Sequence, residues 1–445
     1  MKLRDTLKEF LQKPYESIDS FLKNVIFPVF GENNFVSAGN DNVLRRYPDL
    51  QTIANDNGIL SLIQVGSILI DGQELNIFDI KVNSHRQLSR SRVAIQSLVR
   101  KLIPSHSNAF MIFHYDTMEG RWDWRFTFCQ KGASNADSTD AKRYTFLLGP
   151  SQSCRTAADN FMKIYEKIER EGELEIDDIV RAFDVEALSK EFFDKYVHFY
   201  KEYFVKYMCD EANGMRQDFI TTDFDHTGLT SEQIKDKEEK PIRDYLKKLL
   251  GRLVFLQFLQ KKGWMGVPVD KEWGEGNYDF LRQLFLHATP EQKDNFLDGV
   301  LEPLFTALDT KRTDDIYDTQ IPGIGKVKIP YLNGGLFERD SADEPDTKFP
   351  AKYFGELLEF FYEYNFTIDE NDPNDAEVGV DPEMLGKIFE SQLEDNKDKG
   401  AFYTPKEIVQ YMCKESLIAY LISEAQQGDN QSDDTIEEKV RSLVD

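Results

Sequence analysis

The sequence has few cysteines and no apolar run long enough to cross a membrane. Its four cysteines lie far apart, and none belongs to a C-x-x-C or His-rich pattern, so a disulfide framework or a structural zinc site is not indicated. They are Cys129, Cys154, Cys209 and Cys413. The start, MKLRDTLKEFLQKPY, lacks the continuous apolar core of a signal peptide. We therefore expect a cytoplasmic protein that has no contact with a membrane.

Positive charge is also scarce, because the formal net charge of the 445 residues is −25. Such an acidic surface repels the DNA backbone, which argues against nonspecific binding over the whole surface. The segment 80–103 is the exception, since it carries six basic residues and no acidic one. These are Lys81, Arg86, Arg90, Arg92, Arg100 and Lys101. Any contact with nucleic acid is therefore predicted to be local.

The length and the hydrophobic pattern predict three regions. Residues 1–165 alternate helical segments with strand-like runs, and LSLIQVGSILI, Asp71-Gly72 and LNIFDIKV read as two strands joined by a tight turn. We predict an α/β domain here, with a mixed sheet flanked by helices. Residues 166–399 have helical periodicity, most clearly at 240–262, and predict a mostly α-helical connector domain. A new element begins at residue 400 and occupies 400–445.

Asp79 and Lys81 are two residues apart on a predicted strand, so their side chains emerge on the same face. A carboxylate that holds Mg²⁺ and an ammonium that orients water are what metal-assisted phosphodiester hydrolysis needs. A solvated strand edge is the alternative explanation. A second carboxylate should converge on the metal, and Asp71 in the preceding turn is the nearest candidate. Glu74 and the more remote Asp56 are the alternatives.

The acid-free segment that follows has a mostly helical apolar pattern and is placed to run beside a DNA backbone. We expect its arginines to contact phosphates and Gln96 to face the site; an ordinary solvated helix face is the alternative. The predicted nucleic-acid contacts are Arg86, Arg90, Arg92, Gln96 and Arg100. The expected partner is double-stranded DNA.

Two blocks further along have simple structural explanations. PYLNGGLFE at 330–338 predicts a tight loop, because paired glycines permit positive φ. GAFYTPKEIVQYMCKESL at 400–417 predicts a loop followed by an amphipathic helix, with Thr404 as N-cap and Pro405 as first helical residue.

Taken in order, strand, turn, D-x-K strand and basic helix resemble the PD-(D/E)xK nuclease fold. The first 160 residues resemble the N-terminal nuclease domain of bifunctional type IIG restriction-modification enzymes. The resemblance rests on Asp71-Gly72, FDIKV, RSRVAIQSLVRKLI, WRFTF and KRYTFLLGPSQSCRTA. It implies an Mg²⁺-dependent DNA endonuclease in which Asp71, Asp79 and Lys81 are catalytic and the two aspartates bind the metal.

The later blocks resemble the same enzymes. GAFYTP is similar to motif X of N6-adenine DNA methyltransferases, and PYLNGGLFE, RLVFLQFLQKKGW and the IFE of LGKIFESQL resemble the segment that precedes that domain. The resemblance implies that Phe402, Tyr403, Thr404 and Pro405 border the methionine end of S-adenosylmethionine. No G-x-G loop or N-P-P-[YFW] tetrapeptide follows residue 405, so we expect this chain to be the N-terminal part of a longer enzyme and not to methylate DNA by itself.

Two functions follow from these patterns. The first is a restriction-modification enzyme fragment that cuts DNA with a metal ion. The second is a nuclease-like domain without catalysis, which serves a phage-defence DNA methyltransferase as a DNA-binding or interaction module. The DNA recognition sequence and the oligomeric state stay open.

Overall fold

A computed structural model gives two compact units, residues 1–382 and residues 383–445, which are described separately. It describes residues 2–46, 48–56, 58–83, 108–115, 123–130, 142–183, 185–332, 334–339, 343, 346–366, 375–377, 379–380, 384, 386, 388, 406–428 and 440. The predicted boundary at residue 165 lies inside a helix, Arg155–Glu171, so the first compact unit continues past it.

The N-terminal part of the first unit places short helices around a sheet. The helices are α1 (Lys2–Leu11), α2 (Ile18–Phe21), α3 (Phe27–Phe30), α4 (Val43–Arg46), α5 (Pro48–Asp56) and α6 (Arg155–Glu171). A π-helical turn, Leu22–Ile26, joins α2 to α3. The strands are β1 (Phe35–Asn42), β2 (Ile59–Ile70), β3 (Gln73–Val82), β4 (Asn108–Tyr115), β5 (Trp124–Gln130) and β6 (Lys142–Leu148).

These strands form a mixed sheet in the order β1-β2-β3-β4-β5-β6, to which a short strand, Asp375–Glu377, adds beside β6. Neighbouring strands from β1 to β3 are antiparallel, β3 and β4 are parallel, and β4 to β6 are antiparallel again. The α/β class and the predicted hairpin are confirmed. Asp71 and Gly72 form its turn with φ angles of 45° and 69°, the positive values that a two-residue hairpin turn requires.

Apolar side chains cover both faces of the sheet. Successive residues of each strand point to opposite faces, so each strand contributes to both. On one face Phe78, Met111 and Phe113 share a core with α4 and α5 through Leu44 and Leu50. The other face carries a cluster of phenylalanine rings whose neighbouring centroids lie between 4.9 and 6.4 Å apart. Its members are Phe21, Phe110, Phe126, Phe128, Phe146, Phe161 and Phe183. Asp79 lies on this second face, since it alternates with Phe78 and Ile80.

The rest of the first unit is mostly helical, as predicted. Its helices are α7 (Ile176–Ala182), α8 (Val185–His198), α9 (Lys206–Met208), α10 (Arg216–Phe219), α11 (Ser231–Lys261), α12 (Phe280–His287), α13 (Pro290–Asp294), α14 (Glu302–Asp309) and α15 (Ala351–Tyr362). Two π-helical turns, Phe199–Val205 and Leu297–Leu301, lie between them. A small antiparallel sheet contains β7 (Val267–Pro268), β8 (Ile316–Asp318) and β9 (Lys326–Lys328). The strand Asp375–Glu377, which pairs with β6 in the large sheet, is β10.

The helix predicted at 240–262 is confirmed as α11, which starts earlier, at Ser231. Thr230 begins it, because its hydroxyl accepts a hydrogen bond from the backbone N–H of Gln233 and the Gln233 side chain accepts one from the Thr230 N–H. Gly263 follows its C-terminus with a φ of 69°.

In the second unit, α16 (Lys406–Gly428) follows the GAFYTP block. The predicted helix after that block is confirmed, and Ile418 is buried in contact with Val440. Across the described ranges of both units, no helix has the length and apolar character that crossing a membrane requires.

Candidate functional site

Asp79 and Lys81 lie near the C-terminal end of β3, on one face of the sheet. Asp79 is only 8% exposed and Lys81 is half-buried. Both side chains alternate with Phe78, Ile80 and Val82, whose burial in the core of the opposite face fixes the register of the strand. The two residues therefore share a face, as the sequence predicted.

Tyr15, from the segment between α1 and α2, contacts Asp79 directly. Its hydroxyl donates a hydrogen bond of 2.6 Å to Oδ1 of Asp79, a length typical of a charge-assisted bond. Burial, and then the neighbouring Asp79 carboxylate, raise the pKa of Tyr15 well above its ordinary value. The raised pKa favours the protonated, donating form of Tyr15, which holds one oxygen of Asp79 in place.

His114 of β4 completes this cluster. The parallel pairing of β3 and β4 sets His114 opposite Lys81, and His114 Nε2 lies 3.3 Å from the carboxylate oxygens of Asp79. The imidazole also packs on the ring of Tyr15 at a centroid distance of 4.5 Å. His114 was not predicted from the sequence, because AFMIFHY was interpreted only as a buried strand; aligning it beside FDIKV as a parallel neighbour would have found it.

Trp124 of β5 packs on the ring of Tyr15. Its ring centroid is 5.3 Å from that of Tyr15, and its Nε1 donates to the carbonyl of Lys13 at 3.0 Å. The preceding residue, Asp123, is 8% exposed and accepts hydrogen bonds from the N–H and the hydroxyl of Ser151. Trp124 thus holds the ring of Tyr15 through a contact that does not involve Asp79.

The structure does not bring Asp71 to this cluster. Asp71 lies in the turn before β3, and the strand separates it from Asp79 by roughly 20 Å at the usual rise per residue. Glu74 is at the same far end of β3. Asp56, the remaining alternative, is the last residue of α5, just before β2. Because Ile59 pairs with Val82, the start of β2 lies beside the C-terminal end of β3, which is the end that carries Asp79. Asp56 is exposed there.

The donor set at the cluster fits a hard divalent cation only in part. Within the described ranges no group of three or more His, Cys, Asp or Glu side chains is arranged to hold a metal ion. Asp79 supplies one carboxylate and His114 one ring nitrogen. Mg²⁺ commonly keeps several waters and is bound through one or two carboxylates together with substrate phosphates, so one protein carboxylate is compatible with a metal that binds along with DNA.

The predicted DNA contacts lie outside the described residues; they are Arg86, Arg90, Arg92, Gln96 and Arg100. The predicted cofactor contacts, Phe402, Tyr403, Thr404 and Pro405, also lie outside them. The basic segment nevertheless has a defined place in the chain, since it connects the parallel strands β3 and β4.

The PYLNGGLFE block is held by Arg252 of α11. Arg252 is 3% exposed, and its guanidinium donates to the carbonyls of Leu336 at 2.7 Å and Glu338 at 3.0 Å. It also donates to both oxygens of Asp343, at 3.1 and 3.2 Å. Gly335 has a φ of 72°, the positive value expected of this loop. These contacts explain the described part of the block as a structural loop anchored on α11.

One curated relative connects the chain with known proteins. The chain is similar to a protein of Methanocaldococcus jannaschii whose name gives it as a candidate type II restriction enzyme and methyltransferase, with 30% identity over 178 residues. The alignment covers 38% of this chain and 14% of the relative, so the chain spans a small part of the relative's length. No protein-family model matches the chain. No solved structure matches it at a significant level either.

Proposed function

We propose that this chain is part of a restriction-modification DNA enzyme and that Asp79, Lys81 and His114 form a site for hydrolysis of DNA phosphodiesters. The observation that supports the proposal best is the convergence of these side chains where the parallel strands β3 and β4 adjoin. The similarity to a candidate type II restriction enzyme and methyltransferase supports the choice of DNA as substrate.

Asp79 and Lys81 have separate parts in this proposal, and His114 contacts the carboxylate of Asp79. Asp79 would hold the metal through its carboxylate, and the hydrogen bond from Tyr15 fixes the orientation of that carboxylate. Lys81, next on the same face, orients the attacking water and offsets the charge that develops on the phosphate. Mg²⁺, when bound, would supply Lewis-acid stabilisation of the phosphate oxygens.

The acid-free crossover between β3 and β4 is the proposed DNA-binding element. It follows β3 directly, and its arginines offer local attraction to phosphates in a chain whose net charge is −25. Arg86, Arg90, Arg92 and Arg100 are the proposed phosphate contacts, with Gln96 turned towards the site. Double-stranded DNA is therefore the proposed partner.

The GAFYTP block carries a second part of the proposal. We place Phe402, Tyr403, Thr404 and Pro405 beside S-adenosylmethionine in an adenine methyltransferase. Support comes from the resemblance to motif X and from the helix that follows the block. A protein that contains this block together with a complete methyltransferase domain should bind S-adenosylmethionine in calorimetry, and its Tyr403→Ala variant should bind more weakly; equal affinities would remove Tyr403 from the pocket.

Plasmid cleavage tests the nuclease proposal. Supercoiled plasmid is incubated with the 445-residue chain and Mg²⁺ or Mn²⁺, and nicked and linear products are measured. Asp79→Asn and Lys81→Met should abolish cleavage, whereas Asp270→Asn, which removes an exposed carboxylate between β7 and α12, should cleave like the unaltered chain. The proposal would be refuted if the unaltered chain leaves the plasmid intact both with Mg²⁺ and with Mn²⁺.

The second candidate function is a DNA-binding or interaction module without catalysis. It is favoured by the distance of Asp71 from Asp79 and by the absence of a three-ligand group within the described residues. In that case Asp79→Asn and Lys81→Met leave DNA retention in a gel-shift assay and protection against phage unchanged. Loss of cleavage with retained binding instead supports the enzyme.

A further inference from the structure

Two exposed tryptophans lie on adjacent stretches of backbone just after α11. Trp264 and Trp273 are each 42% exposed. The N–H of Gly274, which follows Trp273, donates at 3.1 Å to the carbonyl of Gly263, which precedes Trp264. The two indoles are therefore attached at neighbouring points of the backbone, although they are nine positions apart in the sequence.

The loop that carries the tryptophans is tightly built. Gly276 also donates to the carbonyl of Gly263, at 2.9 Å, and β7 within the loop pairs with β9. Met265 and Val267 are fully buried. At Gly263, which has a φ of 69°, a Cβ atom would collide with the carbonyl of Gly274, so only glycine permits this closure. The indoles thus project from a preformed surface, which reduces the entropy lost when a ligand binds.

Lysines accompany both tryptophans. The ammonium of Lys262 is 5.9 Å from the centroid of the Trp264 ring. Lys328 of β9 donates at 2.6 Å to the backbone carbonyl of Lys271, two residues before the second tryptophan. Residues 261–276 together with β9 carry five lysines and three acidic residues, whereas the whole chain has a net charge of −25. This surface therefore combines two aromatic rings with a local excess of positive charge.

We propose that Trp264 and Trp273 stack on unpaired bases of a DNA strand and that Lys262 and Lys328 contact the phosphates of that strand. The inference rests on the proposed function for the choice of DNA as the nucleic acid. It goes beyond that function by adding a contact for single-stranded DNA in the helical region, separate in sequence from the acid-free crossover between β3 and β4.

Base stacking explains this combination of residues better than an apolar protein interface does. Every base has an aromatic face on which an indole can stack, whatever the sequence. A protein partner would have to cover the neighbouring lysines, which are depleted in protein interfaces, whereas a phosphate backbone is complementary to them. Bases in a duplex are already stacked on one another, so a single strand is the form of DNA that offers free faces.

Binding of a labelled single-stranded oligothymidylate, measured by fluorescence anisotropy without divalent metal, tests the proposal. Trp264→Leu and Trp273→Leu should each weaken binding about 5- to 150-fold, the change that corresponds to one lost base–aromatic stack. Trp264→Tyr keeps an aromatic ring and should retain most of the affinity. The proposal is overturned if the unaltered chain does not bind the oligonucleotide, if both leucine variants bind as tightly as it does, or if Trp264→Tyr loses as much as Trp264→Leu.

Two control variants match these changes. Tyr420→Ala removes a ring that is 61% exposed on α16, and it should leave the affinity unchanged. Lys262→Met should reduce the slope of log affinity against log salt by about 0.7, the contribution of one phosphate contact on a single strand. Lys201→Met removes an exposed lysine from the π-helical turn Phe199–Val205 and should not change the slope. Equal effects in the control and test variants would contradict the proposal.

Further measurements exclude other ligands for this surface. Trp264→Leu should weaken binding of a duplex of the same length less than binding of the single strand, and an equal loss for both would contradict base stacking. If light scattering shows self-association that Trp264→Leu abolishes while DNA affinity is unchanged, the surface joins two copies of the chain and the proposal fails.

Thermal unfolding verifies that each variant is folded. If a leucine variant unfolds, the unaltered chain still decides the matter, because stacking on bases should quench its tryptophan fluorescence when the oligonucleotide is added. Emission that stays constant while the oligonucleotide binds would overturn the proposal.

The outcomes separate this inference from the proposed function. Binding of single strands that depends on the two tryptophans, in a chain that cuts no DNA with any divalent ion, supports the stacking surface and refutes the nuclease. DNA cleavage together with single-strand binding that is insensitive to both leucine variants supports the nuclease and refutes the stacking surface.

Discussion

Tyr15→Phe removes the hydrogen bond that fixes Asp79 and leaves its other contacts in place. The phenyl ring still reaches His114 at 4.5 Å and Trp124 at 5.3 Å, so the apolar packing is retained. The lost bond of 2.6 Å joins a hydroxyl to a buried carboxylate, and hydrogen bonds to charged groups contribute about 1.5–3 kcal/mol. If that stabilisation is realised in the transition state and not in the enzyme–DNA complex, the cleavage rate should fall by about 10- to 150-fold.

Single-turnover cleavage of plasmid at saturating metal measures this effect. Tyr15 acts as a positioning residue, so the rate at saturation should fall while the DNA dissociation constant from gel shift stays the same. Tyr245→Phe is the matched control, because it removes the hydroxyl of another buried tyrosine, in α11, which lies 3.5 Å from Thr347 and outside the cluster. A Tyr15→Phe rate within twofold of the unaltered chain, or an equal loss in Tyr245→Phe, would refute this reasoning.

Three further predictions concern other parts of the first unit. Arg252→Met removes the two-point partner of the buried Asp343, which keeps its ion pair with Lys248 at 2.9 Å, and should lower the free energy of unfolding in urea by about 1.5–3 kcal/mol, the contribution of hydrogen bonds to a charged group; a loss below about 1 kcal/mol, the value of a surface pair, would contradict it. Burial raises the pKa of Glu302 to about 7, so its contribution to stability is greatest below the unfolded pKa of about 4.3 and is lost as pH rises through about 7. Relative to the unaltered chain, Glu302→Gln should therefore raise the urea midpoint more at pH 8 than at pH 5. An equal change at both pH values would contradict this prediction. Asp71→Asn should retain plasmid cleavage because β3 separates it from Asp79, and loss of cleavage would return Asp71 to the site.

The sequence predicted the hairpin well because the information is local. Asp71-Gly72 meets the demand of a tight turn for positive φ, and the flanking runs have the alternation of half-buried strands. The same local rule placed Asp79 and Lys81 on one face. It also misled the search for a second carboxylate, since Asp71 is close to Asp79 in sequence while the extended strand carries them apart.

The partners of Asp79 were not predictable in this way. His114 is 35 residues from Asp79 and Tyr15 is 64 residues away, and each contact depends on tertiary structure. His114 arrives through the parallel pairing of β3 with β4, which a run of apolar residues does not specify. Tyr15 belongs to the irregular segment before α2, where periodicity carries no information.

In the helical region the hydrophobic pattern predicted α11, but it did not predict the contact between Arg252 of this helix and a loop. Arg252 lies on that helix among apolar residues and was not singled out, although its guanidinium satisfies the carbonyls of the loop that contains Gly335. The loop itself was predicted from its paired glycines. A buried arginine in an apolar helix was the available signal, because such a charge requires partners.

A double-mutant cycle on Asp79 and Lys81 tests the central claim most directly. Plasmid cleavage is measured under single-turnover conditions for the unaltered chain, Asp79→Asn, Lys81→Met and the double variant. If the two side chains act as one hydrolytic site, the unaltered chain cuts DNA and the double variant loses no more activity than either single variant. Rates in both single variants within twofold of that of the unaltered chain, or measurable losses that add fully in free energy, would contradict the account.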